Sequence, residues 1–389
     1  MTSSLIRGIR SDRALFAILA LALTNAVADS ALLPVLPTLQ ERFGLSAVET
    51  GALLSAATIV TLGASIPIGL AAGRIGSRKL LLASAVLLPT SLLVQAFATG
   101  LGTLILGRAL FGLSFAILWT VTPAVAAGSG RGAAGTGRLI AAAGAGWLIG
   151  PVVSGIATDA LGYRVAFAGI AVLTLPLAVL VARTGFEVDR APTTRLRQAI
   201  ATARNEHALA GAMLVTALLG AVAGVSGLLA PLVLAGNGLS AGSIGVVIAL
   251  SAVMFTMSGA LSTRIPSIRV DARLVGVTAA VVGATFLIPF VSFSTVAVIL
   301  FLVVSAGARA LLVSTVYALA RARTPRDSLA TPIAGLMNVT WAATALLAPL
   351  AAGLALSAGG AKWAFIATAV AGFAVGAWML VPKPRAAYA

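Results

Sequence analysis

The sequence predicts an all-α membrane protein of twelve transmembrane helices, arranged as two pseudo-symmetric six-helix bundles with both termini in the cytoplasm. Three observations carry that prediction: the composition, the placement of the basic residues and an internal repeat. Of the 389 residues, 60% are hydrophobic and only 9% charged, with a mean hydropathy of +1.08. A soluble domain is about 25% charged, so most of this chain is built to lie in lipid. The chain has no cysteine, which excludes disulfides, thiolate nucleophiles and thiolate metal sites.

Apolar runs of roughly 20 residues, the length that crosses a bilayer as a helix, fall at 14–37, 47–72, 79–98, 101–127, 134–158 and 163–183. They resume at 208–234, 241–263, 272–293, 295–320, 329–357 and 362–381. The chain therefore divides into an N-terminal bundle (1–183), a basic cytoplasmic linker (184–207) and a C-terminal bundle (208–389). The linker residues Arg190, Arg197 and Arg204 recur at sevens, a spacing that predicts a short amphipathic helix on the inner leaflet. The only histidine, His207, ends this charged stretch and is expected to be solvated.

Basic residues set the orientation. With the N-terminus inside, the outer segments hold only Arg42, Arg164 and Lys362, and Arg108 and Arg309 lie within spans. Every other one of the 26 Lys and Arg residues is cytoplasmic, as the positive-inside rule requires. The net charge of +16 therefore reflects topology and contact with anionic lipid. It is not a nucleic-acid footprint.

The two halves repeat one another. The segment 26-AVA-28 matches 221-AVA-223, 44-GLSAVETG-51 matches 238-GLSAGSIG-245, and 105-ILGRAL-110 matches 306-AGARAL-311. The longest match pairs 149-IGPVVSGIATDALGYRVAF-167 with 347-LAPLAAGLALSAGGAKWAF-365. Ala26-Val27-Ala28 taken alone reads as a secretory cleavage site. Its counterpart in a later span argues that span 1 stays in the membrane.

That placement makes Asp29 the one acid deep within a span. An intramembrane ionisable group costs several kcal/mol and usually faces a cavity with a partner. Asp29 lies about eight residues from the outer end of span 1, roughly 12 Å, and Arg108 about seven from the outer end of span 4, roughly 10 Å. On span 4, Arg108, Phe111, Phe115 and Trp119 share one face by their spacing of three and four. The stripe either packs helices or lines a pocket for a flat, apolar ligand. Asn25 is one turn from Asp29 on the same face. It could orient the carboxylate, bind a ligand or bridge helices. Trp147, Asn338 and Trp341 are further candidates for a substrate cavity. Arg309, in span 10, has no acid within the C-terminal spans. It either pairs with Asp29, meets carbonyls and water, or binds an anion.

Several motifs resemble the major facilitator superfamily. The loop 69-GLAAGRIGSRK-79 is similar to its Gly-x-x-x-Asp-Arg-x-Gly-Arg-Arg/Lys signature through Gly69, Arg74, Gly76 and Arg78. Gly73 stands where the family has an acid, and Ser77 where it has a base. Any lock of the cytoplasmic gate is then built differently here. Arg108 and Gly112 match the family's Arg-x-x-x-Gly pattern. The stretch 146-GWLIGPVVSG-155, with Gly146, Gly150, Pro151 and Gly155, resembles the Gly-Pro antiporter signature, which is typical of exporters. The segment 34-PVLP-37 resembles a turn of tetracycline-type drug exporters, but the acid nine residues before that turn is Asn25 here, and Asp29 comes a helical turn later.

The resemblance implies that spans 1 and 4 line a central cavity, so Asp29 and Arg108 are expected to approach each other as a proton-coupling pair. The glycines and Pro151 are expected to act in gating, as a sliding contact between the halves. The expected function is secondary active export of small, largely apolar, drug-like compounds by proton antiport through alternating access. The alternative is a carrier for an organic anion or nutrient with Arg108 and Arg309 as ligands. A transport-inactive sensor on the same fold is a third reading. No nucleotide-binding loop, catalytic pair or metal cluster is visible. The expected partners are a small-molecule substrate, protons and the lipid bilayer, with no cofactor, no metal and no nucleic acid. The expected form is a monomeric, multi-pass protein of the plasma (inner) membrane.

Overall fold

The computed structural model describes residues 2–128, 132–184, 196–262, 264–265, 270–325 and 327–381, and side chains from Asp12 onward. Arg131, Arg190, Arg195, Arg269, Arg326, Lys383 and Arg385, all assigned above to the cytoplasmic side, lie outside the described residues. The chain runs through α1 (Thr2–Ser30), α2 (Leu32–Phe43), α3 (Ala47–Ile75), α4 (Ser77–Ala96), α5 (Leu101–Gly128), α6 (Gly132–Leu161) and α7 (Tyr163–Ala182). It continues through α8 (Leu196–Asn205), α9 (His207–Gly236), α10 (Ala241–Ser262), α11 (Ala272–Thr285), α12 (Leu287–Val291), α13 (Thr295–Arg323), α14 (Asp327–Ser357) and α15 (Ala361–Leu380). Among the described residues, twelve helical spans are long and apolar enough to cross a membrane, and no strand occurs.

Two spans are interrupted, and each break has a proline just after it. α1 gives way to α2 at Ala31, three residues before Pro34, and α11 gives way to α12 at Phe286, three residues before Pro289. A proline has no N–H for the carbonyl four residues back, and its ring crowds that carbonyl. The carbonyls of Ser30 and Thr285 are thereby left out of the helical ladder. The expected turn at 34–37 is thus corrected: Pro34 and Pro37 lie inside α2, which runs on to Phe43 and stops at Gly44 in a left-handed conformation (φ 62°). Span 1 therefore extends beyond its apolar run, to Phe43.

Helix starts follow ordinary capping. Ser46 and Glu49 form a reciprocal capping box before α3, with Glu49 N donating to Ser46 Oγ (3.2 Å) and Ser46 N to Glu49 Oε2 (2.8 Å). Asp271 caps α11 through Leu274 N (2.8 Å). Such contacts satisfy N–H groups that a helix start leaves unpaired.

The chain folds as two compact units, Met1–Pro192 with Gly238–Leu250, and Thr193–Asn237 with Ser251–Ala389. Within the first, α1 packs on α6, α4 on α5 and α7, and α3 on α5. Within the second, α9 packs on α14, and α11 on α13 and α15. The pairings α1–α6 and α9–α14 correspond under the sequence repeat, as do α4–α7 and α11–α15.

The close pairings depend on small residues. A Cβ on Gly146 would lie 2.7 Å from Ala26 Cβ, and one on Gly150 would lie 2.5 Å from the Val27 carbonyl oxygen. Only glycine lets α6 sit this tightly on α1. In the second unit the glycines are on the other partner: Gly220 faces Thr344 and the Trp341 carbonyl, and Gly224 faces Ala348 and Pro349 of α14.

The linker contains the helix α8, whose Ile200 and Arg204 border a groove shared with Met213, Leu214, Leu336 and Thr340. His207 corrects its sequence expectation. It begins α9 and stacks on Trp378 of α15 (ring centroids 3.9 Å apart), with both ring nitrogens buried and without a hydrogen-bond partner. Local charge density predicts solvation, but α15, which is remote in sequence, covers the ring.

Candidate functional site

α1 ends at the proline break with Asp29, and α5 brings Arg108 beside it. Arg108 Nη2 lies 3.5 Å from Asp29 Oδ1. Exposure is unequal: the arginine side chain is 5% exposed and the aspartate 34%. A charge-assisted N–H···O contact is ordinarily about 2.7–2.9 Å, so this pair is loose. The guanidinium also lies over the Phe111 ring, 4.8 Å from its centroid, a cation–π contact. Arg108 Nε has no hydrogen-bond partner among the described residues. The cation is therefore enclosed by apolar and aromatic groups and held by one partly open carboxylate.

The aromatic stripe continues from this point. Phe111 and Phe115 have centroids 5.9 Å apart, as do Phe115 and Trp119. Phe111 is buried, whereas Phe115 and Trp119 are partly open. Beside the stripe, Asn25 is fully buried and its Nδ2 donates to Ser114 Oγ (3.3 Å). Ser114 Oγ in turn donates to the Ser84 carbonyl (3.0 Å). This polar cluster ties α1, α4 and α5 together, so Asn25 bridges helices and has no surface open to a ligand in this conformation. Its Oδ1 is left without a partner. Ser84 and Ser114 escape sequence reasoning because a serine in a transmembrane run can equally well bond its own helix.

The signature glycines divide their work. Gly146 and Gly150 pack on α1, while Gly155 meets the Ala241 carbonyl and Pro151 offers its carbonyl to Gly245 of α10. At the outer end of α6, Asp159 Oδ2 accepts a hydrogen bond from Gly242 N at the start of α10 (2.9 Å). Trp147, next to Gly146, is exposed. In the loop signature, Gly69 is open and Arg74 exposed, and Gly76 ends α3 at φ 87°. Arg78 donates to the Ala182 carbonyl at the end of α7.

In the second unit, Arg309 occupies the centre of α13. Its Nε is buried without a hydrogen-bond partner, and no carboxylate of its own unit lies within ion-pair distance among the described residues. Asn338 Oδ1 accepts from Tyr317 Oη (2.8 Å), a partner the sequence spacing did not indicate. Trp341 is exposed and its carbonyl abuts Gly220. Among the described residues no three His, Asp or Glu side chains converge as a metal site would need.

Comparison with known proteins agrees with this architecture. The family profile described as Major Facilitator Superfamily matches residues 18–334. The chain is 32% identical over 181 residues to the MFS-type transporter ppzB of Metarhizium rileyi, an alignment covering 43% of this chain and 36% of that protein. The chain thus spans about a third of that relative's length. Among solved structures, a bacterial homologue of the human lysosomal transporter Spinster, inward-facing and unoccupied, is similar with a TM-score of 0.80 at 16% identity, over 95% of this chain and 96% of that one. The nucleoside transporter NupG is similar with a TM-score of 0.77 at 12% identity, over 95% and 100%. These two likenesses concern the fold.

Proposed function

The chain belongs to the Major Facilitator Superfamily, and from that membership we propose that this multi-pass secondary transporter exports small, largely apolar compounds in exchange for protons across the plasma membrane. The observation that carries the proposal is the partly open Asp29 carboxylate against the buried Arg108 guanidinium, continuous with Phe111, Phe115 and Trp119.

The chemistry follows from the arrangement. Asp29 is the one acid deep within a span, so it is the group assigned to carry the coupled proton, with Arg108 as its partner. A proton arriving from outside converts the carboxylate to a neutral acid and cancels its attraction for the guanidinium. The pair is already long, so little is needed to part it. Alternating access then exposes the acid to the cytoplasm, where the proton leaves and the pair re-forms. The open edges of Phe115 and Trp119 offer a flat apolar surface for cargo. The exporter direction rests on the Gly-Pro segment of α6.

Purified protein in liposomes, with a pH gradient and a panel of neutral and anionic aromatic compounds, tests the reading. Asp29→Asn is expected to fold and bind cargo but to lose gradient-driven accumulation. Wild-type accumulation by that variant, or no response of the wild-type protein to the gradient, ends the proposal.

A further inference from the structure

Arg309 is the middle residue of the 29-residue helix α13, Thr295–Arg323. It therefore sits roughly 21 Å along the axis from either end at 1.5 Å per residue. Phosphates of lipid headgroups lie at the membrane surfaces, beyond its reach. The sequence after His207 contains only two acids, Asp271 and Asp327, and both stand at helix starts: Asp271 caps α11, and Asp327 begins α14. The guanidinium has a buried Nε without a partner and a side chain that is still partly open.

The sequence repeat shows why no internal acid serves it. Counted from the matched Ala-Val-Ala segments, the places of Asn25 and Asp29 are taken by Gly220 and Gly224. A Cβ on Gly224 would come within 2.7 Å of both Ala348 Cβ and Pro349 Cδ. Packing of α14 fills the space in which a second aspartate would stand. The second unit has the arginine but no room at this place for a counter-ion.

A guanidinium presents five N–H donors in a planar fork and stays charged in proteins. Held at mid-membrane with no acid of its own unit beside it, it is suited to an oxyanion that arrives from outside the chain. We infer that Arg309 recognises an anionic group on the cargo, and that the cargo is a small apolar molecule bearing one carboxylate or phosphate. This rests on the transporter reading above and narrows its substrate class. Arg108 already has Asp29, so the anion is assigned to Arg309 alone.

Equilibrium binding to the purified full-length protein tests this, with naphthoate, naphthyl phosphate and neutral naphthamide as probes and tryptophan fluorescence as the readout. Naphthoate or naphthyl phosphate is expected to bind at least about tenfold more tightly than naphthamide, the scale of a hydrogen bond to a charged group. Whichever anion is favoured identifies the group. Arg309→Gln should bring that ratio close to one without weakening naphthamide, and Arg309→Lys should keep part of it. Equal affinities in the wild-type protein, including no binding of any of the three, overturn the inference, as does a ratio unchanged in Arg309→Gln. None of these readouts uses a pH gradient, so a failure of proton coupling would be seen separately in the Asp29→Asn liposome experiment.

Discussion

Arg108 and Arg309 occupy equivalent places in a duplicated sequence, yet their surroundings are opposite. Arg108 is enclosed, with the Phe111 ring on one side and Asp29 3.5 Å away. Arg309 has an open edge and no acid of its own unit beside it, and glycine stands where its aspartate would be. The same cation in the same apolar setting can be balanced by an internal charge or left to a visiting one. The choice between the two is made on the neighbouring helix. α1 carries Asp29 beside the break that precedes Pro34, while α9 carries Gly224, pressed against α14.

The most severe way to break the contrast is to give the second unit its missing acid. Gly224→Asp places a side chain where Ala348 and Pro349 already stand. It is expected to destabilise the protein by about 3 kcal/mol or more, through overpacking and a buried charge. Thermal unfolding in detergent would show this as a clear drop in midpoint, whereas an unchanged midpoint would mean that α14 yields. Next in size is the difference between the two arginines. Arg108→Gln is expected to cost about 1–2 kcal/mol, less than the ~3–5 kcal/mol of a fully buried pair, because Asp29 remains partly hydrated. Arg309→Gln should stay within about 0.5 kcal/mol of wild type or stabilise, since it removes a cation with no partner. Equal losses in the two variants would show that Arg309 has a structural partner. The smallest effect is expected at the polar cluster behind the pair. Ser114→Ala should lower stability by about 1 kcal/mol, the ordinary net worth of a hydrogen bond, and leave the gradient response of the transporter intact.

Much of this contrast could be read before any coordinates. Twelve apolar runs indicated twelve spans because lipid demands a long hydrophobic helix each time. Asp29 and Arg108 stood out because a charge in such a run is rare. The breaks at Ala31 and Phe286 were not legible, because a proline can end a membrane helix or merely kink it, and neighbouring helices decide which. The stacking of His207 on Trp378 was hidden for a related reason: local polarity says nothing about a remote helix that folds over a ring. Asn25 was visible as a polar residue beside Asp29, but its commitment to Ser114 was not, since several serines offered equivalent partners. The spacing of Gly220 and Gly224 was plain in the sequence. Only α14 pressed against them shows that those positions have no room for a side chain.

Glycine and aspartate codons can differ by a single base, so the genetic code alone does not bar a carboxylate from position 224. Steric exclusion by Ala348 and Pro349 stands in the way, and it would persist until an entire helix shifted. The two halves thus differ in what a close helix contact permits: glycines on α6 leave α1 room for an acid, whereas α14 closes the matching place on α9.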